Sequence, residues 1–352
     1  MYVILAILVF CFLIFIHELG HFLAAKASGV RVLEFSLGMG PAIWSRQKGE
    51  TLYSLRCLPL GGYCAMEGED EDSDDPRAFT NAKVWKRLVI LVAGAFMNFL
   101  TGFLLVLILF SGDKGFLAPV ITGFMDGCPY ESADGLQVGD RFHKVNGERI
   151  YFSSDVSTYL QRGGSETADI VVIRDGEKVE LEDYAIVPLE YDYQGTTGYY
   201  YGLLMEQVDS GPWATVRYSW YQALDFVRQV RLALGDLITG AVGLDQMAGV
   251  VGIVDTINQV GQQSASTSLA LWNIGYLSAL IAVNLAVMNL LPIPALDGGR
   301  IVFLLLGAAA EKITRRKLSH KFENYLHGAT LVLLMLLMLV VMYNDIARMV
   351  TR

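Results

Sequence analysis

The first sixteen residues, Met1 to Ile16, carry no charged side chain, and the next five read His17-Glu18-Leu19-Gly20-His21 before apolar residues resume at Phe22-Leu23-Ala24-Ala25. A segment of this length and polarity can satisfy its backbone in lipid only as a helix. Ionisable side chains at the end of such a helix are costly to keep and mark function by default. On a helix, His17 and His21 project from one face, one turn apart.

That spacing suits two nitrogen ligands of a tetrahedral Zn²⁺, with Glu18 alongside to handle a proton. The plain alternative is a polar cluster snorkelling to a helix end, its members hydrogen-bonded to one another. A second polar anomaly in the same solvent decides between them.

Composition identifies that solvent as lipid. The chain is 53% hydrophobic and 18% charged, below the ~25% charge of ordinary soluble domains. Besides Val3 to Lys26, spans are expected at Leu88 to Phe110, about Ile274 to Leu306, and His327 to Tyr343. The first lacks a basic n-region and an A-x-A site, so it is expected to be retained. Basic residues sit at Lys83, Lys86 and Arg87 before the second span, and at Lys312, Arg315, Arg316, Lys317 and Lys321 between the third and fourth. The positive-inside rule puts both loops in the cytoplasm, with the termini and the long 111–272 segment outside. The acidic run Glu67 to Asp75 contributes to the net charge of −9; it reads as a solvated cytoplasmic loop and argues against nucleic-acid partners. Of the four cysteines, Cys11, Cys57, Cys64 and Cys128, no two share the oxidising side, so no disulfide is expected.

The second anomaly ends the third span, where Asn284, Asn289, Pro292, Pro294 and Asp297-Gly298-Gly299 interrupt an apolar run. Broken backbone at membrane depth is tolerated only where it is buried in protein or lines a watery cavity. Asp297 either completes a two-histidine, one-carboxylate site with an open fourth position, or serves as an Asx turn or helix N-cap ahead of the glycines.

His17-Glu18-x-x-His21 in the first span, followed by Asn289-x-x-Pro292-x-Pro294-x-Leu296-Asp297-Gly298, resembles the site-2 protease family of intramembrane zinc metalloproteases, most closely its bacterial RseP-type branch. Leu37-Gly38-Met39-Gly40-Pro41, Pro59-Leu60-Gly61-Gly62-Tyr63 and the G-x-x-x-N run Gly94 to Asn98 are similar to further family segments. Ala248 to Ile253 resembles an S-G-P-V-G-I motif, with Val250 in place of proline. The resemblance implies that His17, His21 and Asp297 hold Zn²⁺ and that Glu18 is the catalytic base. It implies that Asn289, and with it Asn98, binds substrate; interhelical hydrogen bonding is the alternative for both asparagines. It also implies an active site near the cytoplasmic side of the bacterial inner membrane. The implied substrates are transmembrane helices, such as anti-sigma factors or signal-peptide remnants.

A substrate helix must unwind before a carbonyl is reached, and the β-prone pieces within 33–66 could clamp it by strand addition or simply pack against the bundle. Asn146-Gly147 and Asp175-Gly176 each sit between β-rich runs as hairpin turns, and Gly139 to Ile150 resembles the centre of a PDZ domain. Such a domain would capture an extracytoplasmic peptide or protein, or exclude bulky substrates. Gly211-Pro212-Trp213 opens an amphipathic helix to about Leu237, with Trp213, Trp220, Tyr221 and Phe226 suited to a membrane interface or, alternatively, to packing against the PDZ domain. His143, His320 and His327 are assigned no metal.

The expected fold is thus a polytopic α-helical membrane protein of four transmembrane helices, with a membrane-associated β-hairpin region and an extracytoplasmic PDZ domain. Residues 1–110 and 273–352 would be the two halves of the core, 111–208 the PDZ domain, and 209–272 the amphipathic helix and a linker. A catalytically silent membrane scaffold is the competing reading, against which the intact Glu18 speaks. An ion pump would show internal repeats and more spans.

Overall fold

The computed structural model describes residues 1–69, 73–193, 195–243, 246–314 and 320–351, without the side chains of residues 59, 60, 193, 314 and 320–324. Asp70, Glu71 and Asp72 of the acidic run, and Arg315, Arg316 and Lys317 of the basic connection, lie outside the described residues, as do the side chains of Pro59, Leu60, His320 and Lys321. In chain order the elements are α1 (Tyr2–Ser28), β1 (Val32–Lys48), β2 (Thr51–Met66), α2 (Val84–Phe110), β3 (Gly115–Phe124), β4 (Arg141–Val145), β5 (Glu148–Arg149), α3 (Ser153–Arg162), β6 (Thr167–Arg174) and β7 (Glu177–Ala185). They continue with β8 (Leu189–Tyr193), β9 (Thr196–Tyr200), β10 (Leu203–Asp209), α4 (Pro212–Thr239), α5 (Val250–Gln263), α6 (Thr267–Asn289), α7 (Asp297–Thr314) and α8 (His320–Thr351). Two compact units result: residues 1–109 with 222–352, and residues 110–221.

Among the described residues, four helices are long and apolar enough to cross a membrane: α1, α2, α6 and residues Tyr325–Thr351 of α8. This is a helical membrane protein with a sheet domain. The expected third span differs in its bounds. It starts at Thr267, stops at Asn289, and the chain re-enters helix only at Asp297. Pro292 and Pro294 are the reason, since neither can donate to a continuing helix and each disfavours helical backbone in the residue before it.

At the close of the first span, Lys86 Nζ donates to the Ser28 carbonyl at 2.8 Å. A residue at the start of α2 thus satisfies an orphan acceptor at the end of α1, and the two helices meet at one membrane face. Beside them, β1 and β2 pair over a bent register in which residues 34–37 of β1 face residues 52–55 on one flank and 62–65 on the other. The inner part of this sheet joins a core of Ala25, Val30, Val32, Cys64, Met66, Ile90, Leu91 and Leu304. Its far end leaves Met39, Ile43, Trp44, Leu55 and Leu58 exposed.

One helix is an addition to the expected elements. The region expected to be linker contains α5, an amphipathic helix of fourteen residues whose fully buried residues are Ile257 and Gly261. It packs through Ile257 into a cluster with Ala6 and Leu13 of α1 and Ile274, Ile281 and Ala282 of α6. Its start is held by α8, where the fully buried Asp345 carboxylate accepts the Gly249 and Gly252 amides at 3.0 and 2.8 Å. Anions are favoured at a helix N-terminus, and Arg348 balances the charge at 2.6 Å. Val250 is the first residue of α5 after the Gly249 N-cap. That is where proline is at home, so the exchange of proline for valine fits the same local shape. The aromatic reading of α4 needs one correction: Trp213 and Trp220 are exposed, but Phe226 is fully buried and meets Tyr276 edge-on at 5.2 Å. It is a core residue.

The second unit holds a six-stranded sheet in the order β10-β3-β4-β6-β7, with β5 paired to β4 and β8–β9 forming a separate ribbon. Both expected hairpin turns are present. Asn146 and Gly147 have φ of 48° and 80°, and Asp175 and Gly176 have 51° and 89°, the positive values a two-residue turn requires. Asp140 is wholly buried beneath the sheet and accepts two hydrogen bonds from the Arg174 guanidinium, both at 2.8 Å.

Candidate active site

The helical period of α1 delivers His17 and His21 to one face, their ring centroids 4.7 Å apart and nearly perpendicular. Asp297 comes from the far end of the chain, as the first residue of α7. Its Oδ2 lies 3.2 Å from His17 Nε2 and 3.3 Å from His21 Nε2, and the two Nε2 atoms are 3.2 Å apart. Among the described residues these are the one group of His, Cys, Asp or Glu donors lying within 4.8 Å of one another. A tetrahedral Zn²⁺ with bonds of about 2.0–2.1 Å requires ligand–ligand edges of about 3.3–3.4 Å, which is the triangle found here. Asp297 Oδ2 is buried with no hydrogen-bond partner, so this oxygen caps no amide. A buried carboxylate oxygen in that state needs a cation. The donor set fits Zn²⁺.

The His21 ring is oriented by α2. His21 Nδ1 lies 2.8 Å from the Ile90 carbonyl; donation there leaves Nε2 as the free lone pair, the arrangement by which backbone carbonyls commonly orient metal-binding histidines. This proximity depends on glycine. A Cβ on Gly94 would stand 2.4 Å from His21 Nε2 and 2.8 Å from His17 Cε1, and one on Gly20 would stand 2.4 Å from the Ala93 carbonyl oxygen. The sequence marked Gly94 only as part of a G-x-x-x-N run; the close approach explains it.

Glu18 packs against β2, where Gly62 would meet its Cγ at 3.2 Å if it carried a Cβ. The carboxylate is therefore bracketed by the histidines on its own helix and by strand backbone. Asn98 follows Gly94 by one turn on the same face of α2. It is 1% exposed, and its Oδ1 has no hydrogen-bond partner, so the interhelical bond considered for it does not engage that atom. Asn289 is the last residue of α6, partly buried, across the 290–296 loop from Asp297. Asn284 is exposed.

The model of peptidase family M50 matches residues 5–337. The chain belongs to that family. Among curated proteins, this M50 member is 34% identical to a Clostridium perfringens protein named "Putative zinc metalloprotease", over 98% of each chain. It is 29% identical to zinc metalloprotease RasP of Bacillus licheniformis, over 99% of each. It is 27% identical to the regulator of sigma-W protease RasP of Bacillus subtilis, over 99% of this chain and 98% of the relative.

Proposed function

We propose that this zinc metalloprotease of family M50, an intramembrane protease, holds its metal through His17, His21 and Asp297 and uses Glu18 as its general base. The observation that carries the reading is the near-equilateral triangle drawn from opposite ends of the chain. Zinc bound there supplies Lewis-acid polarisation of a scissile carbonyl and brings the pKa of a water near ~7. Glu18 takes the proton of that water and returns it to the leaving amine. Asn98, with an unpartnered buried oxygen on the neighbouring helix, and Asn289 at the α6 terminus engage the substrate backbone.

The substrates are transmembrane segments of other membrane proteins. The regulator of sigma-W in Bacillus subtilis suggests that they include membrane-bound anti-sigma factors. An unwound segment is held by strand addition to the outer edge of β2 around Gly62, the part of the sheet nearest Glu18. The basic residues Lys83 and Lys86 beside the end of α1 support a cytoplasmic location for that face, and His21 lies two turns from it, about 10 Å along the axis. The termini and the sheet domain are then extracytoplasmic. The sheet order, with α3 beside it, supports a PDZ domain. A groove of about 350 Å³ between α3 and the start of β10, lined by Met125, Ser153, Ser157, Gly202 and Met205, is where it would receive a peptide.

The test is cleavage in detergent of a single-span substrate carrying helix-weakening residues, by wild type, by Glu18→Gln, and by wild type with a zinc chelator. Both controls should lose cleavage, Glu18→Gln by about 10²–10⁴-fold in kcat with zinc content unchanged. A Glu18→Gln enzyme as active as wild type removes Glu18 from the mechanism.

A further inference from the structure

The loop that presents Asp297 has few ways to hold its own shape. Residues 290–296 include two prolines and so carry five backbone N–H groups, each of which needs a partner if buried. Four find carbonyls within the segment or at the end of α6: Leu290 to Val287, Leu291 to Met288, Ile293 to Leu291, and Leu296 to Ile293, at 2.7–3.1 Å. The fifth, Ala295 N–H, donates to His327 Nδ1 of α8 at 2.7 Å.

Ala295 is also an unusual residue conformationally. Its φ is 78°; among the described residues the other non-glycine positions with positive φ are Asn146, Asp175 and Asp183, of the two types that tolerate the left-handed region. An alanine persists there only when its surroundings over-determine it. His327 supplies such a contact through the Ala295 amide, and its ring is itself set against Phe303 of α7 at 5.6 Å. Two residues later comes Asp297.

We propose that His327 is a positioning residue of the metal centre: it fixes Ala295 in its left-handed state and thereby aims the Asp297 carboxylate at His17 and His21. Acceptance through Nδ1 places the ring proton on Nε2. The histidine lies outside the His17, His21 and Asp297 donor group. The fourth span thus acts on the site through one backbone amide. This rests on the proposal that Asp297 is a ligand, and the experiment keeps the two apart.

Full-length protein in detergent is purified as wild type, Asp297→Asn, His327→Phe, His327→Asn, Ala295→Gly and the double variant His327→Phe/Ala295→Gly. Zinc affinity is measured by competition with a chromophoric chelator, and the visible spectrum of the Co²⁺-loaded protein reports coordination. His327→Phe keeps the ring and removes the acceptor, so affinity should fall about 10–100-fold, the usual loss for an outer partner of a ligand, with an altered cobalt spectrum. His327→Asn offers an acceptor oxygen at similar reach and should stay within a few-fold of wild type. Ala295→Gly removes the conformational strain and should restore most of the loss in the double variant. Wild-type affinity in His327→Phe, with Asp297→Asn metal-free, overturns this inference alone. So does a His327→Asn as weak as His327→Phe together with no rescue by glycine, since ring packing then explains the loss. Wild-type affinity in Asp297→Asn overturns the ligand assignment and this inference with it.

Discussion

Two short regions build the candidate metal centre by opposite means. In α1 the donors are four residues apart on a regular helix, so each backbone group that fixes their geometry is satisfied inside the same element. Across residues 290–299 the backbone is broken by prolines, and the position of Asp297 is borrowed from elsewhere. Gly298 and Gly299 would place a Cβ 2.2 Å from the Leu291 carbonyl oxygen and 2.3 Å from that of Ile293, so the loop lies directly on the first turn of α7. His327 supplies the last hydrogen bond from another helix. A helix positions ligands by its period; an irregular loop positions one by what surrounds it. The first is robust to change at a distance and fragile to a change of phase, and the second is the reverse.

The phase of α1 is the most sensitive point. One alanine inserted between Leu19 and Gly20 turns His21 by about 100° relative to His17, and zinc binding should be lost outright while helical content by circular dichroism is kept. A variant that still binds one equivalent of zinc would show that the histidine pair does not depend on helical period. Next in size is Gly298→Ala, which forces a methyl group into backbone carbonyls. Overpacking of this kind costs about 1–3 kcal/mol or more, and here it should also lower zinc affinity, because the loop cannot move without moving Asp297. Unchanged affinity would mean that the loop has more freedom than the contacts allow.

Asp345→Ala leaves two amides at the start of α5 without their acceptor, an expected loss of about 1–3 kcal/mol seen as a lower detergent melting temperature. Zinc affinity should stay within two-fold of wild type, because α5 supports α1 without setting its phase. A large drop would show that α1 also borrows its geometry. The smallest effect is expected from Val250→Pro. At the first position of α5, and half-exposed, proline should raise stability by about 0.4–1 kcal/mol through the unfolded chain and leave zinc untouched. A destabilised protein would mean that the helix start differs from the observed one.

Much of the site was legible because its signals are local. His17, Glu18 and His21 follow from helical spacing, and the Asn146-Gly147 and Asp175-Gly176 turns follow from residues that accept positive φ. Asp297 was reached by a motif and by the cost of a lone carboxylate in lipid, yet its alternative as an N-cap was open until its Oδ2 was found against both histidines. Phe226 was left between interface and packing, because an aromatic residue on an amphipathic helix looks the same whether it faces lipid or protein; it packs on Tyr276. Helix α5 was missed although Val250, Ile253, Val254 and Ile257 recur at helical spacing: at fourteen residues it is too short to span a membrane, and its first residues were read only as part of the Ala248 to Ile253 motif.

By itself, then, the sequence determined four membrane helices, two hairpin turns and a pair of imidazoles one turn apart, since each depends on hydropathy or on residues within a turn of one another. Only the tertiary structure decided that Ile90 orients His21, that Gly94 makes room for both rings, and that His327 reaches the amide two residues before Asp297. These contacts join residues 32 to 77 positions apart, and their existence depends on how closely whole helices approach, a quantity set by packing that no local pattern encodes.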